Sequence, residues 1–501
     1  MIRSKKSVSL VGLKDALSES IVARRIPVRA WFFLGLGSVA TLFGFLILDP
    51  EPNWLLSVCA AFNVAIMGWA IFRLYQQDLL LSPMMLAYMG PLMVIYYSWG
   101  NLGARMAGDY RFAANLRTLE FYPLASLLST IGLILYCWVV FGVFQRQFSR
   151  VKIRYQDLRW QPQQLLGAIF FVLAILVYLS LKYSFVGGYF RNAESDFDRW
   201  LIAAMNAFIF LIVIIGVSLL AGAENKGNRL IAVLGIILAL LLSLGFRSRT
   251  FMLMVLVLIV LCWLTLKPGQ ISLSRFIIFG LAGVVMFSLG TVVKSMQSGT
   301  NSVWENISAV SSVESSEVIA RTSRGVEFDR QYRAGGFEYP AAVLRCLDYG
   351  AAPAYGEGLV GAFFQGLPGF LRPEGSYTER GRIAIHYWRY CFFYDDSIAV
   401  PLVSGIGDWG IPGVFIYVLM GIFSLLLWRV AQISPKFFMA YLLVPYFPDY
   451  LFWEGVFNYI KTMAFLWLIL TVMGSILLPH WSSSSQALIP SDDLRNENHP
   501  S

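Results

Sequence analysis

The sequence predicts an all-α polytopic membrane protein with about 12 transmembrane helices and one large extracytoplasmic loop containing short helices. Apolar residues make up 57% of the 501 residues and charged residues only 14%, a balance typical of membrane proteins. Apolar segments recur along the chain, most of them close to the roughly 20 residues that a helix needs to cross a bilayer. The net charge of +9 lies in the loops that follow these segments, so it does not indicate nucleic-acid binding.

These segments divide the chain into five parts. A cytoplasmic N-terminal segment, 1–30, precedes a first transmembrane bundle of about nine spans at 31–295. A periplasmic loop domain, 296–396, is followed by the last transmembrane spans, 397–479, and a cytoplasmic tail, 480–501, which we expect to be disordered. The predicted spans are 31–48, 54–72, 79–98, 122–144, 164–181, 200–222, 230–246, 251–266, 276–293, 397–428, 437–452 and 462–479.

Basic residues predict the orientation of the spans. With the N-terminus inside, the cytoplasmic segments hold 20 of the 39 Lys and Arg residues, whereas the short outer loops hold nine. Five of the 20 lie in one short loop, 146–159. The positive-inside rule therefore places both termini in the cytoplasm and the loop 296–396 outside.

An apolar hairpin at 229–267 carries Arg247 and Arg249 at its apex. Its two arms are each long enough to cross the hydrocarbon core as a helix. Lysines mark the open end, so the predicted topology places the two arginines at the outer face, where cations are unusual. This position suits an anion carried by a lipid. The alternative is that both side chains snorkel as membrane anchors.

The loop 296–396 contains nine arginines and no lysine. Arg-only usage suits bidentate recognition of phosphate or carboxylate, and the candidate ligands of such an anion are Arg330, Arg333, Arg382 and Arg389. Ion pairs with the twelve acids of the loop are the alternative. His386 is the only histidine on the predicted outer side and a candidate general base, or else a histidine bonded to the backbone.

The segment 397–409 interrupts the apolar pattern before a span that begins at Ile411. Its prolines and glycines predict a broken or re-entrant element, which is tolerated at membrane depth only inside protein or beside water. Asp408 lies in this break and is a candidate general base, since acids at such depth are costly. The alternative is that Asp408 caps the following helix.

The five cysteines divide into two groups. Three lie in apolar runs, while Cys346 and Cys391 share the large loop. An extracytoplasmic loop would allow those two to form a disulfide, although two cysteines do not settle the pairing. The motifs of soluble phosphate-binding, zinc and serine enzymes are absent from the sequence.

A set of motifs resembles the bacterial oligosaccharide repeat-unit polymerases of the Wzy type, the O-antigen polymerases, which are related to the O-antigen ligases. The topology of a dozen spans with one large late periplasmic loop also resembles theirs. The motifs are Gly245-Phe246-Arg247-Ser248-Arg249 at the hairpin apex, Tyr355-Gly356-Glu357-Gly358 and Gly366-Leu367-Pro368-Gly369-Phe370-Leu371-Arg372-Pro373 in the loop, and Gly405-Ile406-Gly407-Asp408-Trp409-Gly410-Ile411-Pro412-Gly413 before the following span.

The resemblance implies a membrane glycosyltransferase in the bacterial inner membrane. Such an enzyme joins undecaprenyl-diphosphate-linked oligosaccharides into O-antigen, capsule or exopolysaccharide at the outer leaflet. Arg247 and Arg249, with loop arginines such as Arg330 and Arg333, would bind the diphosphate, and His386 or Asp408 would activate the acceptor hydroxyl. It implies no metal and no cofactor. Its expected partners are membrane lipid, a flippase and a chain-length regulator, with no nucleic acid.

Four other functions stay open at this point. An O-antigen ligase has the same parts and differs in its acceptor. A metal-dependent transferase would use Asp49 and Glu51 of the first outer loop, although two prolines make these acids equally good turn residues. A transporter of lipid-linked oligosaccharide would show inverted repeats, which we do not find. A membrane transpeptidase would use Cys391 with His386.

Overall fold

A computed structural model describes the chain over the following residues. They are 28–49, 53–76, 102, 118–143, 153, 155, 158–182, 196–222, 225–245, 249–267, 281, 285, 338–356, 359–360, 363–364, 367, 401–443, 452–472 and 480–481.

The described residues form twelve α-helices and one pair of very short strands. Two 3-10 helices, Thr118–Phe121 and Ile411–Phe415, precede α3 and α10, and a π-helix, Trp138–Val143, continues α3. The elements are α1 (Val28–Leu48), α2 (Trp54–Gln76), α3 (Tyr122–Cys137), β1 (Leu158–Arg159), α4 (Pro162–Lys182), α5 (Asp196–Gly222), α6 (Lys226–Gly245), α7 (Arg249–Leu266), α8 (Glu338–Asp348), α9 (Pro401–Trp409), α10 (Ile416–Ala431), α11 (Pro435–Leu443), α12 (Phe452–Val472) and β2 (His480–Trp481).

Seven helices of the described chain are long and apolar enough to cross a membrane. They agree with the all-α membrane class that the composition predicts. The count of twelve spans stays a prediction, because span 79–98 and all but two residues of span 276–293 lie outside the described residues.

The last predicted span needs a correction. Its helix, α12, begins at Phe452 rather than near 462. Glu454, Asn458 and Lys461 interrupt the apolar run there, so hydropathy alone starts the span too late. A helix tolerates such residues when its other faces are packed, and the hydroxyl of Tyr459 donates a hydrogen bond to the carbonyl oxygen of Tyr441 on α11 (3.2 Å).

Helix α5 is the central helix of the described bundle. In its membrane-crossing window 72% of the residues are buried, compared with 11% in α1 at the periphery. It packs against α4, α6, α7, α11 and α12, which explains an apolar sequence on all faces of the helix. A second group, α1 to α3, joins the bundle where α3 packs against α10.

The predicted hairpin at 229–267 is confirmed as two packed helices. α6 covers the first arm and α7 the second, and the two are in contact. Lys226 opens α6, and Lys267 follows the last residue of α7. The hairpin therefore has its lysines at one end and the start of α7, Arg249, at the other.

One end of the bundle is tied together by the predicted cytoplasmic segments. β1, from the basic loop, pairs antiparallel with β2, with Leu158 opposite Trp481. The start of the tail, expected to be disordered, is thus a strand at His480–Trp481. The pairing brings this part of the tail and the basic loop to the same end of the bundle, as the predicted topology requires.

Two further contacts hold the basic loop at this end. The side-chain amide of Gln432, after α10, accepts a hydrogen bond from the N–H of Ile153 (2.8 Å) and donates one to its carbonyl oxygen (3.3 Å). Tyr155 hydrogen-bonds Ser218 (2.7 Å) and the carbonyl oxygen of Ile214 (3.1 Å) near the C-terminal end of α5. Burial raises the pKa of Tyr155 well above its usual value, so the phenol stays neutral at physiological pH.

This pairing makes a direct prediction for a cross-link. Cysteines introduced as Leu158→Cys and Trp481→Cys stand opposite each other in the ladder, about 5 Å apart at Cα. We expect a short bis-maleimide to join them in membranes, giving an intramolecular band shift. Each single variant serves as the control, and failure of the double variant to cross-link would contradict the pairing.

The opposite end of α5 carries an ion pair between a half-exposed lysine and a buried aspartate. The Lys182 Nζ lies 2.6 Å from Oδ2 of Asp198, whose side chain is fully buried. The hydroxyl of Tyr178 donates a second hydrogen bond to this carboxylate (3.1 Å). These bonds join the end of α4 to the start of α5 and compensate a charge that would otherwise be costly to bury.

Candidate functional site

The candidate site is built around the short helix α9 and the break that follows it. α9 ends at Trp409, Gly410 adopts a left-handed backbone (φ 69), and the next span runs from Ile411 to Ala431. The structure thus agrees with the predicted break and with the predicted start of the span. Residues 401–408 and Gly410 are all buried, so the break after α9 is packed in protein, as a membrane protein requires.

Two glycines make the tight turn between α9 and the span possible. A Cβ at Gly405 would overlap the carbonyl oxygen of Gly413, and a Cβ at Gly413 would overlap the carbonyl oxygen of Gly405. The backbones therefore approach more closely than any side chain allows. Gly407 differs, because a Cβ there would meet no atom of another part of the described chain within 4 Å.

Asp408 lies in the last turn of α9 and is only 4% exposed. An acid at a helix C-terminus faces the negative end of the helix dipole, which does not favour it. The alternative role as a cap of the following helix is wrong. Gly410 occupies the N-cap of the 3-10 helix and Phe415 that of α10, and neither helix receives a side-chain capping bond.

Residues 338–356 of the predicted loop cover the end of α9, and we call them the loop cap. Helix α8 packs against α3 and α9. It ends at Asp348, and Gly350 beyond it adopts a left-handed backbone (φ 91). Two bonds, Gly350 N–H to Leu347 and Ala351 N–H to Cys346 (both 3.0 Å), form the Schellman pattern that closes a helix. The chain then runs extended to Ala354.

The extended segment 351–356 bonds directly to the backbone at Asp408. The N–H of Ala354 donates to the carbonyl oxygen of Gly407 (2.9 Å), and the N–H of Tyr355 donates to that of Asp408 (2.8 Å). Carbonyl groups at a helix C-terminus lack partners within their own helix. The loop supplies those partners and so fixes its own position relative to the buried acid.

Cys346 of α8 is disulfide-bonded, whereas Cys59, Cys137 and Cys262 are free. Its candidate partner from the sequence, Cys391, lies outside the described residues. A disulfide persists in oxidising compartments. This bond therefore favours an extracytoplasmic position for α8 and the cap.

Arg345 is an arginine of the cap that the sequence did not single out. Its Nη2 donates a hydrogen bond to the hydroxyl of Tyr349 (3.2 Å), and its guanidinium stands 4.8 Å from the ring centroid of Tyr349. Nη1 is buried and makes no hydrogen bond to the described part of the chain. The sequence signal was weak, since Arg345 was one of nine loop arginines.

The structure describes two of the predicted site residues. Arg249 is the first residue of α7, and Asp408 lies at the end of α9. α10 ends beside the basic loop, where Gln432 bonds Ile153. α6 begins directly after the end of α5 that Tyr155 of the same loop contacts. Arg249 follows the far end of α6 and Asp408 precedes the far end of α10, so both belong to the opposite end of the bundle. The other predicted site residues lie outside the described residues; they are Arg247, Arg330, Arg333, Arg382, His386 and Arg389.

Of the two acids of the first outer loop, the structure describes one. Asp49 follows α1 and is buried at 4% exposure, while Glu51 lies outside the described residues. Among the residues that the structure describes, no group of three His, Cys, Asp or Glu side chains could hold a metal ion.

Fold and site together define an all-α protein whose long apolar helices suit a membrane and whose buried acid lies beneath a loop cap at one end. Comparison with known proteins adds no narrower class. No family model, curated protein or solved structure matches the chain.

Proposed function

We propose that this protein is a membrane glycosyltransferase that polymerises undecaprenyl-diphosphate-linked oligosaccharide repeat units at the outer leaflet of the bacterial inner membrane. The observation that carries the proposal is the placement of Asp408, a buried acid at the same end of the bundle as Arg249. A carboxylate at the same end of the bundle as arginines suits a reaction on a phosphate that a lipid tail holds at the interface.

The orientation of the site supports the proposal. The disulfide of Cys346 favours an extracytoplasmic cap, and the paired segments at the other end belong to the basic loop and the tail, which the predicted topology assigns to the cytoplasm. The span Ile411–Ala431 separates the two ends by about 30 Å, the thickness of the hydrocarbon core. Asp408 then faces the outer leaflet region, where the lipid-linked substrate carries its diphosphate.

In the proposed reaction, an acceptor hydroxyl attacks the anomeric carbon of the donor sugar. The new glycosidic bond forms as the bond between that carbon and the diphosphate oxygen breaks, and undecaprenyl diphosphate leaves. His386 or Asp408 accepts the hydroxyl proton. The lipid diphosphate is already an activated donor, so this transfer requires neither a nucleotide sugar nor a metal ion.

Arginines of two regions would bind the leaving diphosphate. Arg247 and Arg249 approach it from the hairpin apex, and Arg330, Arg333, Arg382 and Arg389 from the loop. Arg345 adds a described donor, since its Nη1 has no hydrogen-bond partner among the described residues. Planar guanidinium groups stabilise the charge that develops on the departing oxygen.

Deletion of the gene followed by profiling of surface and lipid-linked glycan tests this function. We expect single repeat units in place of long polymer. Accumulation of full-length lipid-linked polymer would instead identify an O-antigen ligase. An unchanged glycan profile with altered lipid distribution between leaflets would identify a transporter and refute the transferase.

The charge-conserving variants Arg247→Lys and Arg249→Lys test the phosphate-binding role. Lysine keeps the charge and loses the bidentate geometry, so we expect polymerisation to fall about 10-fold or more for each, equivalent to losing one charge-assisted bond of roughly 1.5–3 kcal/mol. Arg229→Lys, at the lysine-bearing end of the same hairpin, is the matched control. Normal polymer from an Arg247→Ala/Arg249→Ala double variant would contradict the role.

A further inference from the structure

Tyr355 adopts a backbone conformation that aromatic residues rarely take. Its φ of 51° lies in the left-handed region, where the Cβ crowds the backbone and glycine or asparagine is usual. Gly356 follows with φ 91°, so the chain turns sharply here. The ring of Tyr355 does not offset this strain by burial, because the residue is 77% exposed. Stability of the fold therefore does not explain a tyrosine at this position, and strained residues of this kind cluster at functional sites.

Hydrogen bonds hold the backbone of Tyr355 against the end of α9. Its N–H bonds the carbonyl oxygen of Asp408 (2.8 Å), and the preceding N–H of Ala354 bonds that of Gly407 (2.9 Å). Pro353 lies beside Gly410, which ties the same segment to the break after α9. The backbone of Tyr355, which carries an exposed ring, is thus fixed beside the backbone of the buried acid Asp408.

A second exposed ring lies at the other end of the same segment. Tyr349 is 69% exposed, and its hydroxyl and ring both contact the guanidinium of Arg345, with Nη2 3.2 Å from the hydroxyl. The segment between the two rings is closed at one end by the Schellman bonds of α8 and bonded to α9 at the other. Two phenol rings are therefore displayed on one rigid support.

We propose that Tyr355, together with Tyr349, forms a stacking platform for sugar rings of the acceptor glycan. This rests on the proposed function and names the substrate part that the site near Asp408 receives. A pyranose has an apolar C–H face and a rim of hydroxyl groups, which match the apolar face and the polar hydroxyl of a tyrosine. The platform would position the acceptor chain end over Asp408.

A lipid headgroup is the competing occupant, since tyrosines are common at membrane interfaces. The backbone of Tyr355 argues against it. An interfacial anchor needs only a ring at the right depth, which any relaxed conformation provides. A left-handed tyrosine bonded to the helix end at Asp408 instead fixes the backbone position from which the ring projects.

The test separates the ring from the backbone. Tyr355→Asn removes the ring and suits the left-handed conformation, whereas Tyr355→Trp and Tyr355→Phe keep an aromatic face. The probe is a soluble oligosaccharide released by mild acid from the lipid-linked repeat units of the cells that make the protein. Its binding to the full chain in nanodiscs is measured by saturation-transfer NMR titration. We expect at least 10-fold weaker binding for Tyr355→Asn and a change below about 3-fold for the aromatic variants.

Stability and catalysis provide the remaining readouts. We expect the melting temperature of Tyr355→Asn in nanodiscs to match or exceed that of the parent chain, because the strain is relieved. Unchanged oligosaccharide binding by Tyr355→Asn, or no binding by the parent chain, would overturn the platform. A lower melting temperature with unchanged binding would assign the ring to the lipid interface. Ring-dependent binding without any glycosidic bond formation would refute the transferase and leave the platform standing.

Discussion

The variant Asp408→Asn should fold normally and lose nearly all polymerisation. Asparagine has nearly the same shape and volume, but it replaces one acceptor oxygen by an NH2 donor and cannot accept a proton as a carboxylate does. A general base contributes about 10²–10⁴-fold to a rate, and we expect a loss in that range. The measurement is the rate of polymer formation by purified chain in nanodiscs supplied with lipid-linked repeat units.

Asp348→Asn is the matched control for Asp408→Asn. Asp348 is an exposed acid at the end of α8 in the same cap, so its amide variant should keep the parent rate. Melting temperatures of both variants report whether the fold is intact. A fully active Asp408→Asn chain would remove Asp408 from the reaction and leave His386 as the base.

Gly405→Ala should be among the most destabilising single substitutions in the described chain, and Gly407→Ala should be tolerated. The Cβ at position 405 would overlap a backbone oxygen of Gly413, which cannot move without shifting the span. Overpacking of this kind typically costs about 1–3 kcal/mol and sometimes more. At position 407 the added methyl group would meet no atom from another part of the described chain within 4 Å, and alanine favours the helix by up to about 1 kcal/mol.

The two variants are matched controls, because both replace a glycine of the same helix, α9, by alanine. Thermal unfolding in the same nanodiscs gives their relative stability, and the amount of protein in the membrane fraction gives a second measure. We expect Gly405→Ala to melt well below Gly407→Ala. Equal melting temperatures would contradict the close approach of α9 to the start of the next span.

Much of the described helical framework could be predicted from hydropathy. The hairpin arms, the spans near 54–72 and 164–181, and the start at Ile411 all follow from the length of apolar runs between polar ends. The start of α12 could not be predicted in this way. A window average of hydropathy treats Glu454 and Lys461 as a break, whereas a helix can place them on a single face. The strand at His480 was also missed, since two residues carry no periodic signal.

The site was predictable in part. Asp408 stands out because an acid between glycines in an apolar segment is costly and rarely accidental. Its role as a helix cap could only be rejected from the structure, since capping depends on the backbone at Gly410 and not on residue type. Arg345 and Tyr355 could not be singled out, because their importance lies in an unused donor atom and a backbone dihedral angle.

The pairing of β1 with β2 has a consequence for biogenesis. Leu158 leaves the ribosome early, and its partner Trp481 emerges only after every described helix has been synthesised. Throughout translation β1 is therefore without its partner strand. The β1–β2 pair forms as a final step. A chain that ends before His480 would therefore insert its helices and still lack this strand pair.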